Sequence, residues 1–186
     1  MFTLQTERLI LRDFQTGDFD AFFATTNDPE YQQFYAEGEM TRPFWQKIFA
    51  HILEGTTQTP RTNYQLAICL PDGTLIGTCG VRVEDVTNQQ ASFGCAIGRP
   101  FWGHGYATEA CRNLFDFAFT QLNIHRIYAD TKAKNTRARA LAEHLGMQLD
   151  GILRQTQFFR GEWWDTAIYS ILKNEWQLDT DKYRSF

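Results

Sequence analysis

Between Arg99 and Ala110 the chain reads RPFWGHGYATEA, with Gly103 and Gly105 standing between a run of strand character and a run of helix character. Glycines so placed let successive backbone N–H groups turn toward one point. A helix opening near Ala107 adds its own unpaired N–H groups and its positive dipole end. Such a junction suits a pyrophosphate. The plainer alternative is a tight turn in which the two glycines only supply positive φ. A Walker-type loop would need Lys-Ser/Thr after Gly105, where Tyr106 and Ala107 stand. A dinucleotide fingerprint would need Gly or Ala in place of Thr108, within a parallel βαβ unit. Both of those phosphate loops are excluded; the helix-start cradle and the simple turn remain.

The elements that must carry this junction follow from periodicity. Leu4 to Asp13 alternates as a first strand, with Leu9 and Leu11 on one face. Asp18 precedes DAFFATT as a candidate helix cap. TRPFWQKIFAHIL predicts a helix whose apolar stripe is Phe44, Ile48, Phe49 and Ile52, started by Thr-Arg-Pro. YQLAICL, the turn PDG and LIGTCGVRV read as a hairpin, and ASFGCAIG is a third strand of the same meander. ATEACRNLFDFAFTQL carries a helical stripe of Ala107, Cys111, Leu114, Phe115, Ala118 and Leu122. HRIYADT is a strand, TRARALAEHLG a helix closed by Gly146. Two last strands flank Arg160-Gly161. This order is that of a mixed α/β (α+β) domain with a mostly antiparallel sheet of about seven strands flanked by helices.

One domain over residues 1–186 suits the length, with a core over about 6–173 and a C-terminal tail over 174–186. The net charge of −4 argues against nucleic acid and anionic membrane as partners and suits a cationic or neutral one. The aromatic content, 16 Phe, 7 Tyr and 5 Trp, is high enough to furnish a binding site as well as a core. Cys69, Cys79, Cys95 and Cys111 form no CxxC pair and lie in apolar runs, which predicts buried reduced thiols and a cytoplasmic location. No metal-ligand spacing occurs. MFTLQTERLILRDF lacks the features of a signal peptide, and no apolar run approaches the roughly 18 residues of a membrane span.

WGHGYATEA, followed downstream by AKNTRARALAEHLGM and then by GILRQ and RGEWWDTAIYS, resembles the GNAT superfamily of acyl-CoA N-acyltransferases. Within it the resemblance is to the RimJ/RimL type, whose first strand is similar to TERLILRDF; it spans about Thr6 to Leu172. The resemblance implies the GNAT fold and acetyl-CoA as co-substrate. It places the cofactor loop on Trp102, Gly103, His104, Gly105, Tyr106 and Ala107, with Trp102 where the superfamily usually has Gln or Arg. The N–H groups of this loop and of Thr108 would hold the pyrophosphate. The main chain of Cys95, Ala96 and Ile97 would pair with pantetheine and leave an N–H to polarise the thioester carbonyl. Asn135 would contact the pantetheine arm, or cap the following helix, or both. Arg99, Lys134, Arg137 and Arg139 are basic residues toward the cofactor's 3′-phosphate end, each equally readable as a surface charge.

Direct attack of an amine on the thioester requires a proton acceptor and then a donor for the leaving thiolate. Here the chain departs from its relatives. Ala138 and Ala142 stand where a Ser or a Tyr acid is usual, and Gln157 stands where some members place a carboxylate. Asp130 and Asp165 are the candidate catalytic residues, with Glu84 and Tyr169 behind them. A solvated strand-end acid and a turn-stabilising carboxylate are their structural alternatives. His104 and His144 read as loop and helix-surface residues. Phe44-Trp45, Phe158-Phe159 and Trp163-Trp164 would flank the acceptor in this fold, or simply pack. The expected activity is therefore N-acetyl transfer to a protein N-terminus or a small amine, by a monomer or homodimer. The alternative, raised by Ala138, Ala142 and Gln157, is an acyl-CoA-binding module with weak or no catalysis.

Overall fold

The computed structural model describes residues 1–36 and 41–176. Eight strands lie in the sheet order β1-β2-β3-β4-β5-β6-β8-β7. They are β1 Thr3–Gln5, β2 Ile10–Asp13, β3 Asn63–Cys69, β4 Leu75–Asp85, β5 Gln90–Ile97, β6 Arg126–Lys132, β7 Gln148–Phe159 and β8 Glu162–Leu172. The helices are α1 Phe19–Thr26, α2 Pro29–Gln32, α3 Arg42–Gly55, α4 Tyr106–Thr120 and α5 Thr136–His144, with 3-10 turns at Thr16–Asp18 and Arg99–Phe101. The mixed α/β class and the mostly antiparallel sheet agree with the sequence. The eighth strand arises because Leu4 to Asp13 is two strands. Thr6 turns the chain, its N–H donating to the Leu9 carbonyl at 3.0 Å and its Oγ1 accepting from the Leu9 N–H at 2.9 Å. β1 then pairs antiparallel with β2, Leu4 opposite Leu11.

The chain forms two compact units. The first is Met1–Arg82 with Gly94–Leu114; the second is Val83–Phe93 with the chain from Phe115 onward. In the first, α1 and α3 cover β3 through an aromatic cluster of Phe14, Phe22, Trp45 and Phe49 with Ile52, Ala67 and Cys69. Phe22 meets Trp45 edge-on at 5.7 Å, and Phe14 meets Phe49 at 5.5 Å. The α3 stripe is thus Trp45, Phe49 and Ile52; Ile48 is 37% exposed and Phe44 only half-buried. Stripes from 44 and from 45 share the helical period, and the one whose rings engage Phe14 and Phe22 is buried. Thr41 caps α3, accepting from the Phe44 N–H at 3.3 Å. Asp18 does not cap α1. Its carboxylate is held by Arg12 at 2.6 Å and accepts from the Gln15 N–H at 2.7 Å. Opposed neighbours across β3 and β4, such as Leu66 and Cys79, are fully buried. All four cysteines are free thiols, but Cys95 is half-buried rather than buried.

In the second unit, β6 pairs antiparallel with β8 and β8 with β7, while β5 joins β6 in parallel over only Gln90–Ser92 and Arg126–Tyr128. The β7–β8 hairpin closes on Arg160 and Gly161 at φ 50° and 82°, the two positive values a type I′ turn needs. α5 ends as its sequence predicts. Gly146 is at φ 78°, its N–H reaches the Glu143 carbonyl at 3.0 Å, and the Met147 N–H reaches that of Ala142 at 3.0 Å, a Schellman motif. Trp176, assigned to the tail by sequence, is 2% exposed, packs on Phe115 at 5.5 Å and donates its Nε1–H to Asp116 at 2.6 Å. Residues 177–186 of that tail lie outside the described residues.

Candidate active site

The glycine loop is built from β5 outward. A Cβ at Gly77 of β4 would collide with the Ala96 carbonyl, so glycine there lets β4 lie close against the end of β5. Past Ile97 the Gly98 N–H bonds the Ile76 carbonyl at 2.8 Å, and the Arg99–Phe101 turn follows. Trp102 folds back on it, donating its indole N–H to the Ile97 carbonyl at 2.6 Å. Gly103 and Gly105 lie at φ 79° and 77°, on either side of exposed His104. The first α4 hydrogen bond runs from the Glu109 N–H to the Gly105 carbonyl at 3.0 Å. Gly105 is therefore the N-cap, and it has no side chain to offer. Among the described residues the N–H groups of Gly105, Tyr106, Ala107 and Thr108 donate to no acceptor. Four amides and the positive end of a 15-residue helix converge there.

A clamp that sequence reasoning missed holds this loop. The Glu109 carboxylate accepts from Thr6 Oγ1 at 2.6 Å, from the Arg8 N–H at 2.9 Å and from Arg8 Nε at 2.6 Å. The same guanidinium donates to the His104 carbonyl at 3.1 Å and lies over the Tyr106 ring at 4.9 Å. Burial pushes the Glu109 carboxyl up, but the bonds from Thr6 and Arg8 outweigh it and hold it below its ordinary value. An acid in the first turn of α4 was a visible signal; its partner about a hundred residues away was not.

The remaining candidates fall in the second unit. Asn135 caps α5, its Oδ1 accepting from the Ala138 N–H at 3.1 Å. Asp130 is exposed on β6, its side chain without a hydrogen bond or ion pair among the described residues. Asp165 is half-buried on β8, and its Oδ1 accepts from the Gln155 N–H at 2.8 Å. Gln155 sits at φ 52° where the β7–β8 register shifts between Leu153 and Gln157, so this carboxylate pins a β-bulge. Asp130 stands opposite Ile168, three residues from Asp165, and the alternation of a strand sends the two carboxylates to opposite faces of the sheet. The structure does not bring them together. Tyr169 is buried, with its hydroxyl between Arg139 Nε at 3.0 Å and Glu143 at 2.8 Å. Lys134 pairs with Glu162 at 2.8 Å, Arg99 with Glu30 at 3.5 Å, and Glu84 accepts from Ser92 at 2.7 Å. His144 bonds the Ala140 carbonyl at 2.6 Å on the surface of α5, and His104 stacks on Tyr106. Among the described residues no group of three or more His, Cys, Asp or Glu is placed to hold a metal, and no helix is long and apolar enough to cross a membrane.

Residues 8–148 match the family described as the acetyltransferase (GNAT) domain. The chain belongs to the GNAT acetyltransferase family. It is 34% identical over 181 residues, 95% of this chain and 99% of the relative, to the N-acetyltransferase p20 of Bacillus licheniformis, which is uncharacterised. The fold is shared with Mycobacterium smegmatis RimJ in complex with CoA-disulfide, at TM-score 0.78 and 22% identity over 93% of this chain and 88% of that one. It is shared too with spermidine N-acetyltransferase from Vibrio cholerae in complex with CoA and spermine, at TM-score 0.77 and 21% identity over 91% and 98%. This GNAT protein is an acyltransferase, as WGHGYATEA and its companion motifs implied.

Proposed function

We propose that this GNAT acetyltransferase moves the acetyl group of acetyl-CoA to a primary amine, on a protein N-terminus or a small molecule, by direct attack of the amine on the thioester. The observation that carries the donor half is the uncapped start of α4, with four convergent N–H groups behind two glycines of positive φ. A pyrophosphate supplies the acceptors those amides lack. In this reading Trp102 to Thr108 hold the pyrophosphate, and the main chain of Cys95 to Ile97 lies along pantetheine. Trp102 already donates to the Ile97 carbonyl, which leaves that oxygen one lone pair for a ligand. Four free thiols suit a reducing, cytoplasmic setting.

For the proton, the two candidate carboxylates are unequal. Asp165 would have to abandon the Gln155 amide and its bulge; Asp130 has nothing to give up. Asp130 is therefore the base in this reading, and Asp165 a structural residue. The test is a thiol-release assay over amines and N-terminal peptides with Asp130→Asn and Asp165→Asn. Asp130→Asn is expected to lower kcat by about a hundredfold, the low end for losing a general base. Asp165→Asn should cost thermal stability first. A fully active Asp130→Asn would remove it from the mechanism, and absence of thiol release with every acceptor would sink the acetyl-transfer reading.

A further inference from the structure

The first unit holds a group that the donor site does not use. Trp45 of α3 is 7% exposed, and its buried Nε1 has no hydrogen-bond partner among the described residues. The indoles of Trp102, Trp164 and Trp176 are all paired, to the Ile97 carbonyl, Glu162 and Asp116. Buried donors are almost always satisfied, so this exception marks a place where an acceptor atom is wanted. The indole ring stands, centroid to centroid, 5.8 Å from Tyr35, 5.5 Å from Phe44, 5.7 Å from Phe22 and 6.5 Å from Tyr31. Tyr31 and Tyr35 are stacked, half-buried, and joined hydroxyl to hydroxyl at 3.0 Å. Burial, with Tyr35 beside it, pushes the Tyr31 phenol well up, so the group stays uncharged.

Its position within the unit matters. Glu30, the neighbour of Tyr31, pairs with Arg99, and a Cβ on Gly98 would come within 3.7 Å of Thr25 Oγ1 in α1. The aromatic group thus adjoins the end of β5, where the chain turns into the glycine loop. Uncharged rings with one spare donor favour a neutral carbonyl oxygen carried on an apolar body. A polyamine carries only cationic and N–H groups and leaves the indole donor unanswered; an amino-acid amide or a peptide answers it.

Building on the acetyl-transfer reading, we propose that Trp45 is a specificity-determining residue whose Nε1–H donates to a carbonyl oxygen of the amine acceptor. The acceptor's apolar side group then lies against Tyr31 and Tyr35. The class selected is an amine with a carbonyl close by, as in an aminoacyl amide.

The test compares Trp45→Phe with the parent on two matched pairs: L-phenylalaninamide with 2-phenylethylamine, and L-leucinamide with 3-methylbutylamine. Each pair differs by one carboxamide, and differences in amine basicity cancel when the same ratio is taken for both enzymes. The preference in kcat/KM for the amide over the plain amine is expected to fall about tenfold in Trp45→Phe. An unchanged preference overturns the assignment. If neither enzyme acetylates any of the four while other amines of the acceptor panel still release thiol, the assignment is overturned; if no acceptor of that panel releases thiol, the acetyl-transfer reading has failed, and Trp45 is judged by binding alone. In that case, or if the variant does not fold, the parent is titrated with N-acetyl-L-phenylalaninamide and followed by ¹⁵N NMR. The Trp45 indole N–H signal, assigned through its contacts with Tyr31 and Phe44 ring protons, should shift downfield. A stationary signal overturns the proposal.

Discussion

α4 and α5 both begin among residues that the family resemblance assigns to acetyl-CoA, yet they are finished in opposite ways. At α5 the Asn135 side chain satisfies the Ala138 amide at 3.1 Å. At α4 the N-cap is Gly105, and among the described residues the amides of 105–108 stay open. The one acid in the first turn of α4, Glu109, is directed to Thr6 and Arg8 instead. A helix start capped by its own side chain has an amide fewer for a ligand, whereas one capped by glycine presents all of them. The same element thus serves stability in one place and anion binding in the other, and the residue at the N-cap decides which.

The largest expected effect comes from a matched pair of glycines. Gly105 and Gly146 lie at φ 77° and 78°, and a Cβ on either would make one ordinary contact, at 3.6 Å with Arg8 and 3.7 Å with Ile171. Gly105→Ala and Gly146→Ala therefore carry similar backbone strain, about 1–2 kcal/mol. Each should lower Tm by a few degrees, on the order of 2–4 °C per kcal/mol for a chain of this size. Only Gly105→Ala should raise KM for acetyl-CoA, by about tenfold, since only there does the strain turn the cradle amides. Equal KM values for the two variants would break the comparison, because the loop would then be a turn and nothing more.

Asn135→Ala probes the other side. Loss of the cap should cost about 1 kcal/mol, and so roughly 2–4 °C in Tm. Asn135→Asp should restore most of it. The change in KM for acetyl-CoA should stay well below that of Gly105→Ala. A KM rise as large as Gly105→Ala produces, with Asn135→Asp failing to reverse it, would make Asn135 a ligand contact first and a cap second.

How much of this could be read beforehand follows the range of the interactions. The centre of the α4 stripe (Cys111, Leu114, Phe115 and Ala118), the turn at Arg160-Gly161 and the Gly146 ending of α5 depend on neighbours a few residues away and are as the sequence predicts; at the ends of the stripe Ala107 and Leu122 are only half-buried, and α4 stops at Thr120. The glycine loop was legible for the same reason. Asp18 misled because a cap and an ion pair compete for one carboxylate, and here both of its oxygens accept from Arg12. The sequence places Ile48 in the α3 stripe and leaves Trp45 out of it because two stripes of equal period differ only in what the facing helix presents. Glu109 and Asp165 are harder still. The first meets partners about a hundred residues away, and the second stabilises a bulge at Gln155 that nothing in RQTQFF announces.

The smallest effect tests what sets the α4 start in place of a cap. Glu109 is held below its ordinary carboxylate range in the folded chain. A depressed folded-state value means the stabilisation is fully present above the unfolded value and is lost as pH falls through the folded one. With the Arg8 side chain 48% exposed, the pair is screened and should be worth under about 1 kcal/mol. Glu109→Gln is therefore expected to melt about 2 °C below the parent at pH 7. The gap should narrow through the range below about pH 4.5 and close once the parent carboxyl is protonated. It should narrow at pH 7 in molar salt as well. A gap independent of pH and salt would assign the contribution of Glu109 to the fit of its two acceptor oxygens with Thr6 and Arg8, which a glutamine amide, with a donor at one end, reproduces only in part. The α4 start would then resemble that of α5 in being closed by a polar contact, differing only in which residue supplies it.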